Sequence, residues 1–219
     1  MTARFALALW GFVCLVPAAA VADDAPPSYG VLLSQLKSGF TDIDYSKLRD
    51  AYAASAGYDP YFRGGNDEKA LTDALKASDC PKILSAANRL LDLNFTNITA
   101  HVYASSCARK LNDESSAQYH RKVALGLLAS IARSGNGQAP QSAYVIVSID
   151  EEYAFLSTAG YRVKDQSLVQ FGQHECDAIE VVDATGLQKT VYFNVDRPWA
   201  WLAQKFPPKA GGKTAAAGH

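Results

Sequence analysis

Apolar side chains recur at helical spacing through the first two thirds of the chain. Short amphipathic helices are predicted at Tyr29–Phe40 and around Leu48–Tyr52, and a third, capped by Asn66, carries Leu71 and Leu75. These segments are too short to be stable alone, so they predict a layer of helices that bury their apolar stripes against one another.

Three longer helices are predicted next. The first starts at Asp79-Cys80-Pro81. Proline is tolerated in the first turn because the backbone N–H that it lacks would have no hydrogen-bond partner within the helix. The chain turns at 94–97, breaks at Asn112-Asp113, and the third helix ends at Ser134-Gly135. This is the antiparallel pattern from which helical repeats are built.

The pattern changes to β-type segments after residue 140. Strands are predicted at 144–147, at 161–163 with 168–171, at 178–182 and at 190–195, with a hairpin turn at 183–186. Ser148 and Glu151 form a capping box that opens one helix between the first two strands. A final turn or short helix places Trp199, Leu202 and Phe206 on one side, which favours a lid over the sheet. The alternative is that Trp199 and Trp201 contact a partner or a membrane surface.

The predicted fold is therefore α+β: an antiparallel helical layer at 28–134, then a small antiparallel β-sheet with one helix at 140–206. Both parts are assigned to a single domain over 23–206, and the tail at 207–219 shows no periodicity and is predicted to be disordered.

The first 22 residues have the three parts of a secretory signal peptide. Arg4 precedes the apolar run 5–16, Pro17 ends it, and Ala20-Val21-Ala22 offers small residues to a signal peptidase. The run is shorter than the ~20 residues that span a bilayer. The sequence therefore predicts cleavage after Ala22 and a periplasmic or secreted protein that is not integral to the membrane.

Charge is balanced, with 21 Lys and Arg against 22 Asp and Glu. A chain without excess positive charge cannot neutralise a row of phosphates, so nucleic-acid binding is excluded as the main function. Phosphate-binding glycine loops, zinc-type cysteine arrays and the nucleophile elbow Gly-x-Ser-x-Gly are missing from the sequence, and it predicts no cofactor.

An exported chain meets oxidising conditions, in which cysteines pair. Cys80 and Cys107 lie about 14 and 12 residues from the turn between their helices, an axial offset of ~3 Å. This spacing favours a Cys80–Cys107 disulfide, and the alternative is two buried free thiols.

Two resemblances add to this interpretation. Residues 80–130 resemble a tetratricopeptide-like helical hairpin, with small residues at Ala100, Ala104 and Ala117. The second extends over nearly the whole mature chain and is carried by motifs at 44–49, 58–61, 100–101, 119–124, 134–137, 143–148, 151–153 and 190–193. With these motifs the chain resembles a family of exported bacterial proteins known only as domain of unknown function 4919. That resemblance implies a bacterial envelope setting and brings no activity.

His101 and His120, on consecutive predicted helices, are the first candidates for ligands or proton carriers. Counted from the turn at 112–113 they are offset by roughly 7 Å, too far to share a metal without a third element. His120 also lies within an apolar stripe, where a hydrogen-bonded core histidine is the more common explanation.

Asp150, Glu151 and Glu152 form an acidic cluster that could hold a cation or supply a general base. The first turn of a helix favours negative charge in any case, and Glu151 completes the capping box. Glu152, which the cap does not need, is the candidate to test.

Tyr58, Tyr61 and Arg63 lie in an aromatic loop bounded by glycines. They form a recognition surface or fold back onto the helices. His174 and Cys176 share one face of a predicted strand. They are interpreted as a weak pair of metal ligands, or as a thiol whose pKa is lowered by the neighbouring histidine.

The leading hypothesis is an exported binding or scaffolding protein with an unknown protein or small-molecule partner. One alternative is a hydrolase-type enzyme that uses His101 or His120 with Glu152. Another is an envelope protein that binds a small ligand or metal through His174 and Cys176.

Overall fold

The computed structural model describes residues 27–61 and 64–207. The predicted signal peptide, Arg63 in the aromatic loop and all but the first residue of the predicted tail lie outside the described residues. Within these residues, no helix is long and apolar enough to cross a membrane.

Six helices form the first layer, and side chains at their N-termini fix where several of them begin. Asp44, Asp79, Asn97 and Asp113 each accept a hydrogen bond from a backbone N–H two or three residues later. The helices are α1 (Tyr29–Lys37), α2 (Tyr45–Ala53), α3 (Asn66–Lys76), α4 (Cys80–Leu93), α5 (Ile98–Lys110) and α6 (Glu114–Ala132).

The consecutive helices α3 to α6 pack side by side, and α2 packs across α6. Gly126 makes the second contact possible, because the ring of Tyr45 occupies the space that a Cβ at this position would need. Cys80 and Cys107 lie at disulfide distance, with their Cα atoms 5.0 Å apart, as the helical spacing predicted. Leu36, Leu48, Leu127 and Ile131 are fully buried in the core of this layer.

The second part contains β1 (Tyr144–Val145), α7 (Ile149–Thr158), β2 (Arg162–Phe171), β3 (His174–Val182), β4 (Gln188–Asn194) and α8 (Asp196–Lys205). The strand order is β1-β4-β3-β2. β2, β3 and β4 are antiparallel, whereas β1 runs parallel to β4, with Tyr144 opposite Phe193. The α+β class is confirmed, but the sheet is mixed because β1 reaches β4 through a long crossover rather than a hairpin.

Two local predictions in this part were wrong. β2 is one continuous strand rather than two pieces. The sequence analysis missed residues 164–167 because all four are polar and face solvent, so they show no alternation of apolar and polar positions. The side chain of Ser148 makes no capping hydrogen bond. Instead, Glu151 accepts one from the backbone N–H of Val147, at 2.8 Å.

Candidate functional site

The two candidate histidines are in direct contact. Their Nδ1 atoms are 2.9 Å apart. The predicted axial offset of roughly 7 Å was therefore wrong as a reason to keep the two side chains apart. Ser105 donates a hydrogen bond to the carbonyl of Ala117 across the same interface, which shows how closely α5 approaches α6. The length of two imidazole side chains spans the remaining axial offset.

The hydrogen bonds assign a tautomer to each ring. Nε2 of His101 lies 3.0 Å from the carbonyl oxygen of Phe95 and must donate to it, so Nδ1 of His101 accepts from Nδ1–H of His120. Burial, and then the neighbouring His120, lower the pKa of His101 to about 3. Burial also lowers the pKa of His120. Both rings are therefore neutral at physiological pH, as in a hydrogen-bonded histidine pair of a core.

Glu151, one residue before the candidate Glu152, is part of a buried ion pair. Its two carboxylate oxygens accept hydrogen bonds from Nε and Nη2 of Arg49 at 2.8 and 2.7 Å. Arg49 also donates to the carbonyl of Val145 and to the hydroxyl of Ser130. This network joins α2, α6, β1 and α7, and its role is structural.

Glu152 points the other way, toward the sheet, and is fully buried. In the described part of the chain, neither of its carboxylate oxygens accepts a hydrogen bond from an N–H or O–H group. Burial, and then the charge of Asp177, raise the pKa of Glu152 well above its usual value. Burial raises the pKa of Asp177 as well, although hydrogen bonds from Gln166 and Glu152 act to lower it. One proton held by Glu152 and directed at Asp177 is the arrangement that satisfies both groups.

A chain of polar side chains leads from this carboxyl pair to the surface. Nε2 of Gln166 donates to Asp177 at 2.6 Å, and the hydroxyl of Tyr153 donates to Oε1 of the same amide. Tyr153 is 43% exposed, whereas Glu152 is not exposed at all. Nε2 of Gln166 can only donate, so Asp177 accepts there, and the larger rise in pKa assigns the shared proton to Glu152.

The histidine pair and the carboxyl pair belong to separate clusters. The histidine rings contact each other and the rings of Phe95 and Tyr119, whereas the charges that act on Glu152 are Asp177 and Glu151. The described structure therefore does not bring together the residues that a hydrolase would combine.

The aromatic loop folds back onto the protein. The hydroxyl of Tyr58 donates to the carbonyl of Val147 at 2.6 Å, and its ring lies edge-on to Tyr52. The ring of Tyr61 packs against Trp201 of α8 at 5.9 Å. Of the two alternatives for these tyrosines, the structure has the one in which they cover the body of the protein.

Helix α8 is attached by the face opposite to the predicted one. Nη1 of Arg197 lies 2.6 Å from Asp50 of α2, Nε1–H of Trp201 donates to the carbonyl of Tyr58 at 3.0 Å, and Pro198 is buried. A groove of about 380 Å³ remains between α8 and α2, so these few contacts hold the helix away from the layer.

The apolar stripe of α8 consequently faces solvent. Trp199 is 42% exposed and Phe206, at the end of the helix, is 70% exposed, whereas Leu202 between them is partly buried. The prediction that these residues form a lid over the sheet was wrong, since Trp201 makes the inward contact instead.

His174 and Cys176 do not act together. Nδ1 of His174 lies 2.6 Å from Asp196, whereas Cys176 is buried. Burial, followed by Asp196, raises the pKa of the Cys176 thiol, so the suggestion of an activated thiol was wrong in direction. The described residues contain no group of three or more side chains placed to hold a metal ion.

Two residues of these clusters escaped the sequence analysis, although each carried a signal. Arg49 lies on the apolar stripe of α2 with Tyr45 and Tyr52, where a charged residue needs a buried partner. Asp177 lies between two buried strand residues, Cys176 and Ala178.

Comparison with known families gives one match. Residues 27–202 match the family described as Domain of unknown function (DUF4919). The chain belongs to that family. No curated protein and no solved structure matches it. Membership in DUF4919 therefore extends over nearly all of the described structure and assigns no activity to the histidine pair, the carboxyl pair or α8.

Proposed function

We propose that this DUF4919 protein is an exported binding or scaffolding protein of the bacterial envelope, and that α8 carries its contact with a protein partner. The observation behind the proposal is the orientation of α8. An amphipathic helix normally buries its apolar stripe, whereas this helix docks through Arg197 and Trp201 and presents the stripe to solvent.

The stripe has the composition of a recognition anchor. Trp199 and Leu202 occupy positions i and i+3 of α8, and Phe206 follows at its C-cap, so apolar side chains of the kind that enter an apolar groove of a partner lie along and beyond the end of the helix. Tryptophan is among the residues that dominate binding energy at protein interfaces. A protein surface is favoured over an anionic membrane because the acidic residues outnumber the basic ones.

Export is supported by the N-terminal sequence and by the cysteine pair. Residues 1–22 have the organisation of a signal peptide, and Cys80 and Cys107 lie at disulfide distance.

Site-specific crosslinking in the native host tests the proposal. A photoreactive phenylalanine analogue replaces Ala203, an exposed residue on the same side of α8, and in a matched control it replaces Leu187, which is 65% exposed on the β3–β4 turn. We expect one reproducible protein adduct from position 203 that is missing from position 187.

The stripe residues provide the second arm. Trp199→Ser with Phe206→Ser should remove the adduct, because loss of two anchors costs about 2 kcal/mol or more of binding free energy. Equal adducts from both positions, adducts that survive the double substitution, or adducts with lipid alone would each contradict a protein-binding stripe.

A further inference from the structure

A concave groove stays open on the surface of the helical layer, between α5 and α6. Its walls include Val102 of α5 and Leu125 of α6, which are 40% and 50% exposed, and its volume is about 380 Å³. Helix α7 reaches the groove with its last residue, Thr158, and no earlier residue of α7 lines it. The seam between α5 and α6 therefore continues uncovered beyond the end of α7.

The same groove is cationic. Arg109 and Lys110 of α5 and Arg121 of α6 line it, and no acidic residue of the described chain does. Nε of Arg109 lies 3.9 Å from the exposed Glu114, whereas the other two cations have no ion-pair partner among the described residues. The groove thus combines apolar walls with positive charge that the protein itself leaves largely unneutralised.

The apolar walls and the cations occupy opposite ends. Helix α5 passes Val102 before it reaches Lys110, and the antiparallel α6 passes Arg121 before it reaches Leu125. In one direction along the groove, both helices therefore present apolar side chains first and positive charges second. This order suits a ligand with an apolar part and an anionic end, and it allows that ligand one orientation.

The size of the groove selects a small ligand over a segment of another protein. From Val102 to Lys110, α5 advances about 12 Å, which is little more than two turns. A contact of this length is far smaller than the ~800 Å² per partner of a stable protein interface. A volume of about 380 Å³, in contrast, lies within the range of small-molecule sites.

We propose that this groove binds a long-chain carboxylate, an anionic amphiphile with a single apolar chain. The carboxylate lies between Arg109 and Arg121, whose guanidinium groups donate charge-assisted hydrogen bonds to it, with Lys110 beside them. The apolar chain lies along Val102 and Leu125 and removes both from water.

A second groove gives the chain room to continue. It lies between α5 and α7, has a volume of about 390 Å³ and no charged lining residue, and shares Val102 and Thr158 with the first. Together the two grooves follow α5 from Ile98 to Lys110, a distance of about 18 Å. This surface differs from α8, and the inference does not rest on the function proposed above.

Isothermal titration calorimetry of the mature protein with dodecanoate, kept below its micelle concentration, tests the site. We expect one binding site per chain. Dodecyltrimethylammonium has the same chain with the opposite charge, and acetate has the carboxylate without the chain. Each should bind at least about tenfold more weakly than dodecanoate, because each lacks one of the two parts that the groove recognises.

Substitutions locate the site. Arg109→Ala with Arg121→Ala should raise the dissociation constant for dodecanoate at least about tenfold, because two charge-assisted hydrogen bonds are lost. Leu125→Asp should have a similar effect, since it places a like charge beside the ligand. Lys122→Ala is the matched control: it removes a positive charge from an exposed position of α6 outside the groove and should leave the affinity unchanged. Circular dichroism checks that each variant is folded.

Three results would overturn the inference: no binding of dodecanoate, equal binding of the cationic amphiphile, and an affinity that the double arginine variant retains. Binding lost with Trp199→Ser and Phe206→Ser would assign the apolar chain to α8 and also count against the groove. A photoreactive residue at position 125 that captures a protein in the native host, while dodecanoate does not bind, would assign the groove to a protein segment instead.

Discussion

At the scale of single residues, Glu152 links the stability of the fold to pH. Burial and Asp177 raise its pKa in the folded protein, so the folded state holds a proton that the unfolded chain releases once the pH passes the usual value of 4.5. The unfolded state therefore gains relative stability as the pH rises from that value through the raised pKa. Above this window, Glu152 is a buried charge beside Asp177 and destabilises the protein.

Replacement of Glu152 by Gln should remove this penalty. An amide can donate to Asp177 without any proton to lose, so Glu152→Gln should become more stable than the wild type as the pH rises from about 5 to 8. The gain at the upper end should be on the order of 1 kcal/mol or more. Urea unfolding of both proteins at each pH measures the difference.

Glu68→Gln, at an exposed position of α3, is the matched control and should show no pH-dependent difference from the wild type. A Glu152→Gln variant that loses stability equally at every pH would contradict the link between this carboxyl group and pH.

The sequence could identify Glu152 but not its partner. Glu152 stood out because the helix start at Ser148 did not need it. Asp177 reaches it from β3, Gln166 of β2 bonds to Asp177, and no local pattern records which side chains adjacent strands place beneath a helix. The contact between His101 and His120 was missed for a similar reason: axial spacing measures the backbone, whereas the contact depends on side-chain reach.

At the scale of elements, a buried ion pair connects the helical layer to the sheet part. Arg49 of α2 and Glu151 of α7 have side chains that are only 5% and 2% exposed. Removal of one partner leaves the other charge buried without compensation, which is far more costly than the loss of an exposed pair.

A double-mutant cycle should detect this coupling. Arg49→Met should lower the free energy of unfolding by about 3 to 5 kcal/mol, and Arg49→Met with Glu151→Leu should cost clearly less than the sum of the single changes. Chemical denaturation measures all four proteins. The pair Lys69 and Asp73, exposed on α3, should show a much smaller coupling because solvent screens it. Additive effects at Arg49 and Glu151 would argue against the pair.

Elements with a local signal were predicted well. The helices from Cys80 to Ala132 follow from capping residues and apolar stripes, and the turn at Asp183 follows from its side chain, which accepts hydrogen bonds from the backbone N–H groups of Thr185 and Leu187. β2 and the direction of β1 could not be predicted. Their pairing depends on strands that are distant in the sequence.

At the scale of the whole molecule, the two parts should unfold as one unit. Arg49 with Glu151, Tyr58 with Val147, and Arg197 with Asp50 all cross between the helical layer and the sheet part. The length of the chain predicted one domain, and cooperative unfolding of the two parts would support that prediction.

Two probes check the prediction. Trp199 and Trp201 are the tryptophans that remain after the predicted signal cleavage, so tryptophan fluorescence reports on α8, whereas far-ultraviolet circular dichroism reports mainly on α1 to α6. We expect both transitions to coincide in urea. Separate midpoints would divide the chain into two independently stable parts.

The position of β4 determines the order in which the fold can be completed. It lies between β1 and β3 and hydrogen-bonds to both, yet it follows β1 by more than 40 residues. The helical layer can form from neighbouring segments as the chain emerges, whereas the sheet must wait for almost the last residues of the domain. A chain that stops before Gln188 would leave two strands without their common neighbour and without Phe193, the largest fully buried side chain. Completion of the sheet therefore requires that synthesis has passed Asn194, the last residue of β4.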